Sequence, residues 1–315
     1  MHYTFVDLGR LLVATTLAIA TILLPGVALA DAADVLRFRS QPGARRWSIA
    51  LVAGLTLLPV LESTVARLLG MGAALALAVS LALAGLLCVA RRALAPRVCT
   101  RALVALALWL VVVAFETVDF DTGGALYQSF TVIDMVKHAA TVQTIVETGV
   151  PPADAFFARA GTSGYYYFFY TLGAIILELA PGWVDARATV GALMVLVGPA
   201  LHTLVLVLLE RTGYVERAHA RGLRLTVLLL LLVSGLDAIP IALLGVSSGR
   251  WLPQLDMWNE AVVSFTDAVL WVPHHVTGVL AAWVGFLSLA DVIAKREHEA
   301  RLDLVQVSVA SLAFV

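Results

Sequence analysis

Cysteine is nearly absent: Cys88 and Cys99 are the only two in 315 residues. Cys88 falls inside an apolar run and Cys99 inside an arginine cluster. Neither supports a disulfide framework, a zinc site or a thiol nucleophile. Charge is scarce as well. Asp, Glu, Lys and Arg make up 14% of the chain, against about 25% in ordinary soluble domains. With 21 Lys and Arg against 22 Asp and Glu, the net charge is −1, which excludes a nucleic-acid binder working through net positive charge. Also missing are a Gly-rich phosphate loop, His-Glu-x-x-His and Gly-x-Ser-x-Gly. There is no clean internal repeat and no alternating pattern of a β-barrel.

What the chain has in excess is apolar surface: 61% of residues are hydrophobic and the mean hydropathy is +0.92. A soluble globule of this size has no room to hide that much, and a disordered chain would not carry it. The reading is an all-α, polytopic transmembrane helix bundle. A span needs about 20 apolar residues, and the candidates are 11–30, 48–68, 71–90, 102–118, 188–210, 225–246, 275–293 and 302 onward. Residues 1–101 form an N-terminal three-span region and 102–315 the remaining membrane core. The chain stops inside an apolar run, so truncation at the C-terminus is expected. Residues 1–30 are read as an uncleaved span, although Ala28-Leu29-Ala30 mimics a signal-peptide cleavage site.

Fifteen of the Lys and Arg residues lie in four clusters: Arg37/Arg39/Arg45/Arg46, Arg91/Arg92/Arg97/Arg101, Arg211/Arg217/Arg221/Arg224 and Lys295/Arg296/Arg301. The positive-inside rule puts all four in the cytoplasm, which requires an even number of crossings between each pair. The test case is 165–180, YYYFFYTLGAIILELA. It is read as a juxtamembrane helix lying at the outer interface, with a spanning helix as the alternative. Residues 119–187 and 247–274 then become outer loops of a multi-pass plasma-membrane protein.

The first outer loop is acidic. Glu116, Asp119, Asp121, Asp134, Glu147 and Asp154 face a single base, Lys137, between 116 and 154. Such a patch suits metal coordination or proton abstraction, and a carboxylate at a membrane surface feels a reduced dielectric. The plain alternative is that Val-Asp-Phe-Asp merely ends a helix in water. Residues 131–148 have helical period, with Val132, Met135, Val136, Ala139, Val142 and Val146 on one face. Asp134, Lys137, His138, Thr141 and Thr144 are expected on the polar face, where Asp134 can orient His138 four residues on. Gly149 ends that helix, Pro151-Pro152 forces an extended exit, and Asp154 follows in a turn.

In the second outer region Trp251, Trp258 and Trp271 mark the interface. His274 and His275 follow Pro273 at the mouth of a span. Neighbours on a helix point about 100° apart, so they are a poor metal pair by themselves. One of them can join Asp134 or His138 across the bundle. Asp237 is an acid near the end of a span.

Together these stretches resemble the GT-C superfamily of polytopic glycosyltransferases and their uncharacterised bacterial relatives. The resemblance covers roughly 102–293. It rests on the acids Glu116–Asp121, on Asp134-Met135-Val136-Lys137-His138, and on Gly149-Val150-Pro151-Pro152-Ala153-Asp154. The aromatic run Tyr165–Tyr170, Gly235-Leu236-Asp237 and Trp271-Val272-Pro273-His274-His275 complete it. It implies a polyprenyl-phosphate-linked sugar donor and an acidic base acting on the acceptor hydroxyl, with inversion; some members use a divalent metal. Carried over, Asp119 or Asp121 matches the loop-start acid and Asp134 the helix acid. Lys137 and His138 would touch the donor phosphate, with Asp154, Tyr165, His274 and His275 lining the substrate. Three spans precede the one that opens into the acidic loop here, whereas the superfamily usually has its first acidic loop after the first span. Rival readings are a transporter or lipid flippase using Asp134, His138 and Asp237, and a non-catalytic cell-envelope assembly subunit. Neither oligomeric state nor sugar is legible.

Overall fold

The structure is a computed structural model. It describes residues 4–92, 100–122, 124–127, 129–156, 161–163, 166–212, 238–249 and 264–296, with isolated positions at 222, 227, 231, 307, 308 and 311. Among the described residues five helices are long and apolar enough to cross a membrane: Phe5–Ala33, Gly43–Leu69, Met71–Arg91, Ala186–Arg211 and Pro273–Ala294. The chain is therefore a helical membrane protein. The first of them joins α1 (Thr4–Ala18) to α2 (Leu24–Ala33) through a π-helical turn at Ile19–Leu23. Then come α3 (Gly43–Leu69), α4 (Met71–Arg91) and α5 (Thr100–Thr117). The expected span 102–118 is thus a helix, and its apolar part is shorter than the other five. The expected spans 225–246 and 302 onward lie mostly outside the described residues.

After α5 the chain makes a small antiparallel hairpin, β1 (Phe120–Thr122) with β2 (Ala125–Tyr127), then α6 (Met135–Thr148) and α7 (Phe168–Leu179). It continues through α8 (Ala186–Arg211), α9 (Ala238–Ser248), α10 (Phe265–Trp271) and α11 (Pro273–Arg296).

Ion pairs define two ends of the bundle. At one end Arg37 and Arg211 grip Asp291 at 2.9 and 2.8 Å, Arg45 meets Glu210 at 2.5 Å, and Arg92 meets Asp31 at 2.7 Å. Members of three arginine clusters are therefore gathered on one side, as the even-crossing rule requires. The turn that brings Arg37 there is strained: Asp34, Leu36 and Arg37 all have left-handed backbone. At the other end Arg187, in the first turn of α8, forks onto Asp119 just past α5, with two contacts of 2.6 Å. Arg10 reaches Asp185 there at 3.0 Å. The chain thus leaves α5 and re-enters α8 at the same end.

Helix α7 accounts for that return. Its 12 residues rise about 18 Å, too short for a hydrocarbon core of about 30 Å. Nor does it lie on a surface with one face outward. Nine consecutive residues, Phe169–Leu177, are buried, so every side of the helix is covered by protein. Helix α7 is thus a short helix wedged into the bundle. Gly173 makes the wedge possible, since a Cβ there would lie 2.9 Å from Val142 of α6 and 3.2 Å from Thr189 of α8.

Small residues set the spacing of the first spans. A Cβ on Gly26 would strike the carbonyl oxygen of Ala50, and one on Gly54 that of Ile22. In hydrocarbon, helices associate by such close backbone approach. Pro199 inside α8 removes the helical donor for the Val195 carbonyl. Trp109 of α5 supplies a replacement, its indole N–H donating to that oxygen at 3.1 Å.

Candidate functional site

Three separated stretches meet at the end of the bundle opposite the arginine clusters. Pro273 has no N–H and cannot continue α10; Val272 leaves the helical region at φ −132°, ψ 60°. The Trp271 carbonyl at this break accepts a hydrogen bond from His138 Nε2 at 2.9 Å. On its other side His138 Nδ1 meets the Tyr170 hydroxyl at 2.6 Å, and that hydroxyl also meets Nδ1 of His274 at 3.0 Å. Tyr170 is fully buried, and His138 and His274 are nearly so.

This geometry fixes the protons. A carbonyl only accepts, so His138 carries its hydrogen on Nε2. Burial, outweighing its hydrogen bond to Trp271, holds the His138 imidazole below its ordinary value of 6.5, and the neutral ring offers Nδ1 as an acceptor. Tyr170 donates its only proton there, so His274 must donate Nδ1–H to the Tyr170 oxygen. The order is His274 to Tyr170 to His138 to the Trp271 carbonyl. The rings pack accordingly: His138 stacks on Tyr170 with centroids 5.5 Å apart, and His274 stands edge-on to His138 at 5.4 Å.

Asp134 stands just before the first turn of α6, without capping it, and forms the polar rim. It accepts from Lys137 Nζ at 2.9 Å and from the Trp271 indole N–H at 3.1 Å. Partial burial pushes its carboxyl up, but the Lys137 contact and charge and the indole bond outweigh this, and the group lies below its ordinary value of 3.8. Asp134 therefore does not orient the His138 ring; Tyr170 and the Trp271 carbonyl do. Of the apolar face expected for α6, Val132, Met135 and Val142 are buried but Val136 is 69% exposed, and from the expected polar face His138 and Thr141 are buried as well.

The other expected site residues are dispersed. Both Asp119 oxygens take the Arg187 fork, and Arg187 also bonds the Thr117 carbonyl at 2.6 Å. Asp121 sits half-buried in the hairpin, opposite Leu126. Asp154 closes its own turn, accepting from the Phe156 N–H at 2.9 Å. His275 is exposed and packs its ring on His274 at 4.2 Å and on Tyr166 at 5.5 Å. Tyr165 lies outside the described residues, as do Asp237, Trp251 and Trp258.

Sequence reasoning missed Tyr170, the centre of the cluster, because an unbroken run of tyrosine and phenylalanine offers no reason to choose one ring. It also missed Glu62, fully buried inside α3. Among the described residues no group of three or more His, Cys, Asp or Glu is arranged to hold a metal ion. No family model, curated protein or solved structure matches the chain.

Proposed function

We propose that the chain is a GT-C-like glycosyltransferase of the plasma membrane. It moves a sugar from a polyprenyl-phosphate-linked donor to an envelope acceptor at the extracytoplasmic face. The observation that carries this reading is the convergence of Asp134, Lys137, His138, Tyr170, Trp271 and His274 at the bundle end remote from the arginine clusters. A lipid-linked donor presents its phosphate at that depth. Lys137 is the cation for the leaving phosphate, and a phosphate there competes with Asp134 for it. Asp134, ionised at neutral pH, is the carboxylate for the acceptor hydroxyl. Asp119, held by Arg187, is a positioning residue in this scheme, and Asp121 is the alternative base.

The test is transfer from a radiolabelled polyprenyl-phosphate sugar by the full chain in lipid nanodiscs. Asp134→Asn and His274→Ala are expected to abolish transfer while leaving the elution profile unchanged, and Asp121→Asn to preserve it. If the Asn variants at 119, 121 and 134 all support normal envelope synthesis in cells, the chain is an assembly subunit instead. One observation favours a transporter or flippase as a second reading: the buried carboxyl of Glu62 inside a span.

A further inference from the structure

Glu62 is 1% exposed and lies in the C-terminal half of α3. Neither of its carboxyl oxygens has a hydrogen-bond partner among the described residues, and no charged side chain among them acts on it; only burial does. Buried carboxyls in proteins are ordinarily paired, hydrogen-bonded or ligated. Inside a membrane span an ionisable side chain is costly and marks function by default.

Its surroundings are specific. One turn on, Ala66 of the same helix face packs with Ala74 and Ala78 of α4 and with Ile175 of α7. The next residue, Ser63, bonds Thr171 of α7 at 2.8 Å, hydroxyl to hydroxyl. Thr171 directly follows Tyr170 in α7, and its own hydroxyl also reaches the Tyr167 carbonyl at 3.4 Å. Pro59 takes away the helical donor of the Leu55 carbonyl, seven residues back on the Glu62 face. The titratable groups of the packed elements stand toward the two ends: Asp31 on α2, Arg91 on α4, Tyr170 and Glu178 on α7, Arg187 and Arg211 on α8, and His274, His275 and Asp291 on α11. Cys88 on α4, His202 and Glu210 on α8, Lys295 and Arg296 on α11, and Arg37 and Arg39 in the turn before α3 belong to the same set.

We propose that Glu62 is a proton-binding site in the interior of the bundle, taking up and releasing one H⁺ at its unpartnered carboxyl. The ligand is the proton itself: a lone carboxyl with no second acid or imidazole bonded to it has the donor set for H⁺ and not for a metal. This inference stands apart from the glycosyltransferase reading, and its test needs no sugar donor.

The experiment uses dicyclohexylcarbodiimide, an apolar reagent, on the full chain in membrane vesicles. The protonated acid gives its proton to a carbodiimide nitrogen while a carboxyl oxygen bonds the carbodiimide carbon. The O-acylisourea then rearranges to a stable N-acylurea. Tandem mass spectrometry is expected to place the adduct on Glu62, with a yield that falls as pH rises. Glu62→Gln is expected to lose it, and a water-soluble carbodiimide to leave Glu62 unlabelled. Should that variant fail to fold, adduct mapping on the unaltered chain decides. An observed Glu62 peptide without adduct overturns the proposal, as does a pH-independent yield or equal labelling by the water-soluble reagent.

Discussion

At the scale of single residues, the cluster is organised by a shortage of protons. Tyr170 has one hydroxyl hydrogen and two imidazole nitrogens within 3.0 Å, so one histidine must donate and the other accept. Burial keeps His138 neutral, and this has a consequence for stability. Its folded value lies below the ordinary 6.5. As pH falls below about 6.5, unfolded chains bind a proton that folded chains refuse, so stability declines until the folded value is reached. Asp134, lowered from 3.8, contributes stability that is lost only at more acid pH, as its carboxylate is protonated. The thermal midpoint in detergent is therefore expected to drop between about pH 7 and about pH 5, the window in which histidine titrates. His138→Gln should flatten that slope. Equal slopes for the two proteins would show that His138 is not held neutral.

At the scale of elements, the helices were legible and their faces only in part. Runs of Leu, Val and Ala predict α3, α4 and α8 to within a few residues, and Gly149 ends α6 with a positive φ of 82° as expected. The burial of polar residues on α6 has a physical cause. The rule that apolar residues face inward assumes water outside, whereas here His138 is buried because Tyr170 and the Trp271 carbonyl replace its water. Those partners come from residues 32 and 133 positions away, and no local pattern announces them. The packing of α7 is similar. An apolar, aromatic-led segment of sub-spanning length reads as interfacial, and only the missing Cβ of Gly173 hints at a wedge. The Trp109–Val195 bond is likewise a long-range repair, of a carbonyl freed by Pro199. Trp109→Phe keeps the ring and removes the donor. It is expected to destabilise the protein by about 1–3 kcal/mol, the cost of a buried unsatisfied polar group, read as a lowered midpoint in thermal unfolding. An unchanged midpoint would mean the Val195 oxygen finds another donor.

At the scale of the whole molecule, charge sorts the bundle into two poles. The arginine pole is tied through Asp31, Glu210 and Asp291; the other holds the Arg187–Asp119 fork and the histidine cluster. Loops rich in Lys and Arg stay in the cytoplasm, so the poles carry a prediction about sidedness. Ser40 is exposed at the arginine pole, and Thr162 is exposed in the segment between α6 and α7. In a background where Cys88 and Cys99 are replaced by Ala, Thr162→Cys is expected to react with a membrane-impermeant maleimide added to intact cells. Ser40→Cys should react only after permeabilisation. Because α5 and α8 meet through Asp119 and Arg187, the chain between them begins and ends on one side, and labelling at Thr162 reports which side that is. The reverse pattern would place the histidine cluster in the cytoplasm, out of reach of an extracytoplasmic acceptor, while leaving the proton site at Glu62 untouched.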